Sequence, residues 1–135
     1  MKVKVIDFGY ENLPHRAHAN DAGADVYSTI DAVIAPNTVA KIPLGFGLEI
    51  PDGYAGFIFP RSGMTAKGIT AELPPIDSGY RGEVHAILTN NSRDHYTVNK
   101  GDRVGQLVIV PVIIADFITE DITQRGDGAF GSTGK

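Results

Sequence analysis

The chain has 135 residues, no cysteine and a formal net charge of −4. This length suits one domain, the lack of cysteine excludes disulfides and cysteine-based zinc sites, and the scattered, acidic charge argues against a nucleic-acid polymer as partner. Because no apolar run approaches the roughly 18 residues of a membrane span and the amino terminus lacks a signal-like segment, we expect a cytoplasmic protein without membrane contact.

Short strands account for most of the pattern in the sequence. Apolar and polar residues alternate with period 2, and no long window has helical periodicity. The alternation predicts strands, in chain order, at residues 2–7, 24–34 with a break, 38–50, 54–60, 83–90, 95–98, 103–110 and 112–119. One helical turn is predicted at 61–67, with Ser62 as its cap. Many short strands at this spacing indicate an all-β sandwich or barrel of the jelly-roll type.

The carboxyl-terminal end differs in composition from the rest. Residues 125–135 read RGDGAFGSTGK, without periodicity. We therefore expect a β domain at 1–124 and a flexible glycine-rich tail at 125–135. Glycines let backbone N–H groups approach an anion, and Arg125, Ser132 and Thr133 add donors. Such a tail suits a lid over a phosphate group.

Three features have both a structural and a functional interpretation. Pro60-Arg61-Ser62-Gly63 either binds phosphate through its N–H groups or only begins a capped turn. Ile76-Asp77-Ser78-Gly79-Tyr80-Arg81-Gly82 is either a plain turn or a segment that holds Asp77 as a general base against a water. Phe130 either anchors the tail on the domain or stacks on a planar ligand. The four histidines form no metal-ligand spacing.

The order of five segments favours the functional interpretations. The segments are Asp21-Ala22-Gly23-Ala24-Asp25, Pro60-Arg61-Ser62-Gly63, Ile76-Asp77-Ser78-Gly79-Tyr80-Arg81-Gly82, Gly101-Asp102-Arg103-Val104-Gly105-Gln106 and the tail from Arg125 to Gly134. Together they resemble the five ordered motifs of the homotrimeric dUTP diphosphatase (dUTPase) family. The resemblance spans residues 21–134. It implies a jelly-roll subunit, a distorted β-barrel of the β-clip type, in a three-fold homotrimer with shared active sites.

The resemblance also implies a hydrolase of nucleotide metabolism that cuts dUTP to dUMP and pyrophosphate. Asp77 would be the general base and would bind the sugar 3′-OH. Tyr80 would pack under the deoxyribose and exclude a 2′-OH. The backbone of the hairpin from Ala71 through Pro75 to Ile76 would read the uracil edges.

The phosphates would be held by residues from several segments. Ser62 and Gly63 would donate near the scissile bond, and Gln106 would contact a phosphate of a neighbouring subunit's site. Asp25 and Arg61 would organise the site. In the tail, the expected substrate contacts are Arg125, Phe130, Gly131, Ser132 and Thr133. Mg²⁺ would be chelated by the triphosphate without a direct protein ligand, with Asp25 near its water shell.

One departure from the family pattern and two alternatives accompany this interpretation. Pro74-Pro75 stands where the family usually has glycine, and proline has no N–H, so base recognition is expected to shift to a neighbouring amide or to Glu72. The first alternative is a dCTP deaminase, which shares the fold. It needs a catalytic glutamate at the position of Ile87, and Glu83 lies too early in the sequence to take that place. The second alternative is a regulatory partner-binding protein on the same fold.

Overall fold

The computed structural model describes residues 1–121. In chain order its elements are β1 (Lys4–Asp7), β2 (Ala24–Tyr27), β3 (Ala32–Ile34), β4 (Val39–Pro43), β5 (Phe46–Glu49), β6 (Tyr54–Phe59), α1 (Ser62–Ala66), β7 (Ile69–Glu72), β8 (His85–Asn90), β9 (Tyr96–Val98) and β10 (Arg103–Pro111). The prediction of an almost wholly β chain is confirmed. No helix in this part of the chain is long and apolar enough to cross a membrane.

The strands pair antiparallel in four small sheets. These are β1-β5, β2-β10-β6, β3-β9 and β4-β8-β7. Strand β10 lies between β2 and β6, and its Gln106 stands opposite Asp25 on one side and Phe59 on the other. Residues from three distant parts of the sequence therefore form one row across this sheet.

The sheets enclose one apolar core. Alternation is clear in β8, where Ala86 and Leu88 are buried while His85 and Ile87 between them are partly exposed. The core also contains Phe46, and burying a side chain of this size contributes about 1.5–3 kcal/mol. The outward residues of β8 are thus left free to line a surface cavity.

Two predicted features of the first hundred residues need correction. The predicted strand at 38–50 is divided into β4 and β5 by a turn, in which Gly45 adopts a φ of +84° that favours glycine. The predicted cap at Ser62 is wrong. Arg61 is the N-cap of α1, it makes no side-chain capping bond, and Ser62 is the first helical residue.

The predicted strand at 112–119 is also wrong. The sheet ends with β10 at Pro111, and the last ladder-like contact is the Val112 N–H bond to the Gly53 carbonyl at 2.9 Å. Beyond it the chain continues without strand pairing in the described residues. Four large apolar side chains of this segment are between 78% and 96% exposed, namely Ile113, Ile114, Phe117 and Ile118.

Candidate active site

A cavity of about 230 Å³ opens on the sheet formed by β4, β8 and β7. Lys41, Ile87 and Glu72 line it, and they stand opposite one another in register, which puts them on the same face. The segment at 74–77 and Tyr80 also line the cavity. Since ligand pockets usually measure about 300–1,000 Å³, this cavity suits part of a ligand better than the whole of a long one.

The cavity brings together four of the predicted site residues, namely Pro75, Ile76, Asp77 and Tyr80. Ala71 is not among the lining residues, and it pairs with Leu88 inside the sheet.

The Asp77 carboxylate has no partner within residues 1–121. Its backbone carbonyl accepts a hydrogen bond from the Tyr80 N–H at 3.1 Å, which closes a turn. The next residue, Ser78, donates its hydroxyl to Asp52 at 3.1 Å and so ties the turn to the loop before β6. The Asp77 side chain itself is exposed and makes no hydrogen bond or ion pair within residues 1–121. It is therefore available to a water or to a ligand hydroxyl.

The hairpin was predicted to recognise uracil through its backbone, but at its carboxyl-terminal end the backbone N–H groups are used or absent. The Ile76 N–H donates to the Gly56 carbonyl at 2.8 Å, and the Gly56 N–H donates back to Ile76 at 3.0 Å. Pro74 and Pro75 have no N–H. Residues 74–76 consequently have no free N–H donor for a ligand, and any such donor must come from elsewhere.

A second group of predicted residues meets at the end of β6. The Gln106 side-chain amide donates to the Pro60 carbonyl at 3.0 Å. Arg103 pairs with Asp25 through Nη1 and Oδ2 at 3.2 Å, and Arg61 donates to the Arg103 carbonyl at 3.4 Å. Asp25, Arg61 and Gln106 are thus linked through one small polar network.

Helix α1 begins beside this network with two free donors. The Arg61 carbonyl accepts the first helical bonds, from Met64 at 3.1 Å and from Thr65 at 3.0 Å. The N–H groups of Ser62 and Gly63 precede these bonds and have no helical acceptor. Both residues are exposed, so the two N–H groups can donate to an anion.

The two groups lie apart within one chain. Ile76 pairs with Gly56 in β6, whereas Pro60 follows the same strand four residues later. At about 3.3 Å per residue, this corresponds to roughly 13 Å. A small ligand cannot touch both groups in one chain, so either an extended ligand spans them or another subunit completes each site.

Charged residues near the two groups bear on metal binding. Within residues 1–121 no group of three or more His, Cys, Asp or Glu side chains could hold a metal ion. Asp25 is the acidic residue of the second group, and Arg103 already pairs with it. This donor set fits a cation held mainly by the ligand itself.

Tyr96 lies close to the second group and was not predicted to matter there. Burial raises the pKa of Tyr96 above its ordinary value of 10.0, and the negative charge of Asp102 raises it further. The positive charge of Arg61 acts in the opposite direction and lowers this pKa.

Other cavity residues escaped the sequence interpretation. Lys41, Glu83 and His85 line the cavity beside Asp77. The strand register reveals Lys41, which pairs with Ile87 although it precedes the turn by more than thirty residues. The predicted tail contacts, namely Arg125, Phe130, Gly131, Ser132 and Thr133, lie outside the described residues.

The sequence matches that of a known family over nearly all its length. The dUTPase family model matches residues 10–134. A deoxyuridine 5′-triphosphate nucleotidohydrolase of Tropheryma whipplei (strain Twist) is 45% identical over 100% of this chain and 97% of its own. One of Ehrlichia canis (strain Jake) is 42% identical over 98% of this chain and 94% of its own.

Solved structures agree with these relatives. The dUTPase from phage phi11 of S. aureus superposes with a TM-score of 0.83 at 26% identity, over 90% of this chain and 97% of its own. A variant of that enzyme, in which a structural Mg(II) ion is coordinated, has a TM-score of 0.82 at 27% identity, over 90% and 97%. A variant of the Staphylococcus bacteriophage 80alpha dUTPase with dUpNHpp has a TM-score of 0.81 at 28% identity, over 99% of each chain. These similarities confirm the predicted jelly-roll class.

Proposed function

This chain belongs to the dUTPase family, and from that premise we propose how it hydrolyses dUTP. The proposed products are dUMP and pyrophosphate, formed when a water attacks the α-phosphorus. The observation that carries the proposal is the cavity lined by both Asp77 and Tyr80. It offers a free carboxylate next to an aromatic ring in a space that suits a base and a sugar.

Asp77 is the proposed general base. A base must lie within hydrogen-bond reach of the proton that it removes, and it must not be committed to another partner. The Asp77 carboxylate meets the second condition within residues 1–121, since no side chain or backbone group there binds it. It can hold the attacking water with one oxygen and the sugar 3′-OH with the other.

Tyr80 is the proposed platform for the deoxyribose. Its ring is about half exposed at the cavity wall, while its hydroxyl is directed away into a bond with the Glu83 carbonyl at 2.8 Å. An apolar ring face under C2′ leaves a ribose 2′-OH without a hydrogen-bond partner, and an unpaired buried hydroxyl costs about 1–3 kcal/mol. This difference supports a preference for dUTP over UTP.

The triphosphate is proposed to lie at the start of α1. The N–H groups of Ser62 and Gly63 are free there, and Arg61 adds a positive charge beside them. Gln106 and Asp25 support this surface, because Gln106 bonds Pro60 and Asp25 neutralises Arg103. Mg²⁺ chelated by the triphosphate would neutralise phosphate charge, and the single carboxylate of Asp25 fits contact through water rather than a protein cage.

Two observations support the proposal that the subunits of a homotrimer share their sites. The base-and-sugar cavity and the phosphate surface are roughly 13 Å apart along β6 in one chain. In addition, the segment at 112–119 carries four highly exposed large apolar residues. Exposed apolar surface of this kind marks an interaction site. We therefore propose that this segment packs on a neighbouring subunit and directs the tail at 125–135 toward a shared site.

The tail is proposed to close over the bound nucleotide. Arg125, Ser132 and Thr133 would hold the γ-phosphate, with Gly131 allowing close backbone approach, and Phe130 would stack on uracil. The composition of the tail supports this role, since its glycines expose N–H groups that suit phosphate. We also propose that the protein is cytoplasmic.

The test is pyrophosphate release from dUTP, dCTP, dTTP and UTP, measured in parallel with Mg²⁺. Release from dUTP alone supports the reaction together with the base and sugar selectivity. Ammonia release from dCTP would instead indicate a deaminase. That outcome is disfavoured by Ile87, which lines the cavity where a catalytic glutamate would be needed, and by the hydrolase names of the relatives. No turnover of any nucleotide would leave the regulatory alternative.

A further inference from the structure

The ring of Tyr80 is held by its own loop. Its backbone N–H bonds the Asp77 carbonyl at 3.1 Å, and its hydroxyl bonds the Glu83 carbonyl at 2.8 Å. Between these two anchors the hydroxyl end of the ring lies over Gly82. The loop therefore folds back on the tyrosine that it carries.

Because Gly82 has no side chain, the Tyr80 hydroxyl fits into the space beside it. A Cβ at this position would lie 2.6 Å from the Tyr80 hydroxyl oxygen, 2.8 Å from Cζ and 3.0 Å from Cε1. Ordinary contact begins at 3.4 Å, so the hydroxyl end would have to move by about 0.8 Å. The φ of Gly82 lies outside the left-handed region. Glycine is thus required here for its missing side chain and not for its backbone freedom.

The other anchor of the ring is itself fixed. Glu83 accepts the Gly45 N–H through Oε2 at 2.9 Å, which joins this loop to the turn before β5. The Val84 N–H then bonds the Phe46 carbonyl at 2.8 Å. Because the carbonyl that receives the Tyr80 hydroxyl belongs to this tethered segment, a side chain at 82 would push the ring against a hydrogen bond whose acceptor is held in place.

We propose that Gly82 is a specificity-determining residue that acts through Tyr80. By admitting the hydroxyl into the loop, it sets the height of the aromatic face on which the sugar rests, and so the enzyme's discrimination between dUTP and UTP. Gly82 is not among the residues that line the cavity, so its role is that of a positioning residue. The inference rests on the proposed role of Tyr80 as the sugar platform.

The test compares Gly82→Ala with Gly79→Ala in the same loop. A Cβ at Gly79 meets nothing within 4 Å, so this variant is a matched control. A misplacement of about 1 Å can cost about 10²-fold in rate. We expect Gly82→Ala to lower the ratio of kcat/KM for dUTP to that for UTP by about tenfold or more, while Gly79→Ala leaves the ratio unchanged. The ratio is independent of the folded fraction of the preparation.

A double variant separates this role from general damage to the loop. In Tyr80→Phe the shortest contact of a Cβ at 82 is absent and the ring is no longer bonded to the Glu83 carbonyl, so it can move away from that Cβ. Gly82→Ala should therefore change selectivity less in that background than in the wild type. Equal effects in both backgrounds, or an unchanged ratio in Gly82→Ala, would overturn the proposal. If Gly82→Ala does not fold, Tyr80→Phe alone still tests it, since loss of the Glu83 bond should lower selectivity several-fold. Wild-type enzyme without dUTP turnover would instead reject the proposed function.

Discussion

Replacement of Asp77 by asparagine tests the proposed general base most directly. The two side chains have the same shape, and the carboxylate is exposed without a partner in residues 1–121, so the free energy of unfolding should change by no more than about 0.5 kcal/mol. A positioned general base contributes about 10²–10⁴-fold to the rate. We therefore expect kcat to fall at least about 10²-fold, which corresponds to about 2.7 kcal/mol of barrier.

The assay pairs pyrophosphate release with calorimetric titration of dUTP. The affinity for dUTP should stay within about threefold of wild type. The amide oxygen of asparagine still accepts the 3′-OH, so at most one hydrogen bond of the carboxylate is lost. Asp52→Asn is the matched control, since Asp52 is also exposed near this turn and accepts the Ser78 hydroxyl as its one side-chain hydrogen bond within residues 1–121. A kcat within tenfold of wild type for Asp77→Asn, or an equal loss in Asp52→Asn, would remove Asp77 as the base.

Three further perturbations address the remaining parts of the proposal. Deletion of 125–135 should abolish most dUTP turnover but leave the oligomer intact by analytical ultracentrifugation. Phe117→Asp together with Ile114→Asp should dissociate the proposed trimer, because burial of each apolar side chain at the proposed interface would contribute about 1.5–3 kcal/mol. Tyr96→Phe should reduce the loss of stability at alkaline pH. With a raised pKa, folded Tyr96 stays protonated where the unfolded chain ionises, so stability falls as pH rises above about 10 and is unaffected at pH 7.

Each of these expectations has an opposing result. Full activity after deletion of the tail would show that it is not a lid, and loss of the oligomer would give it a structural role instead. An unchanged sedimentation coefficient for the doubly charged variant would place the interface elsewhere. Identical alkaline unfolding curves for wild type and Tyr96→Phe would mean that the proton of Tyr96 does not contribute to the decline.

Strands with an alternating pattern and a clear turn on either side were predictable. Strand β8 is an example, since the prediction at 83–90 contains the observed His85–Asn90, where burial alternates over six positions. Strand β7 was missed as a strand although its four residues alternate between apolar and polar, and its pairing with β8 establishes it. At 112–119 the opposite happened. An apolar pattern suited to a strand lacks a partner strand in the described residues, and a strand needs one.

In the site, too, some contacts could be predicted from local sequence and others could not. Asp77 and Tyr80 stand three residues apart in one turn, so local sequence suffices to bring them together. Gln106 and Pro60 are more than forty residues apart, and their bond exists only because β10 pairs with β6 in one register. A shift of one residue would turn Gln106 to the other face of the sheet.

The sequence by itself determined which functional groups are present. These are a carboxylate, an aromatic ring and glycine-rich turns in the order of a known family, and residue type and local spacing are enough to identify them. The tertiary structure alone decided which of these groups are free to act. In residues 1–121 it bonded the Ile76 N–H to Gly56, left the Asp77 carboxylate without a partner, and placed the hydroxyl of Tyr80 over Gly82. These outcomes depend on contacts between strands and loops, and such contacts are fixed by packing and register that no local pattern records.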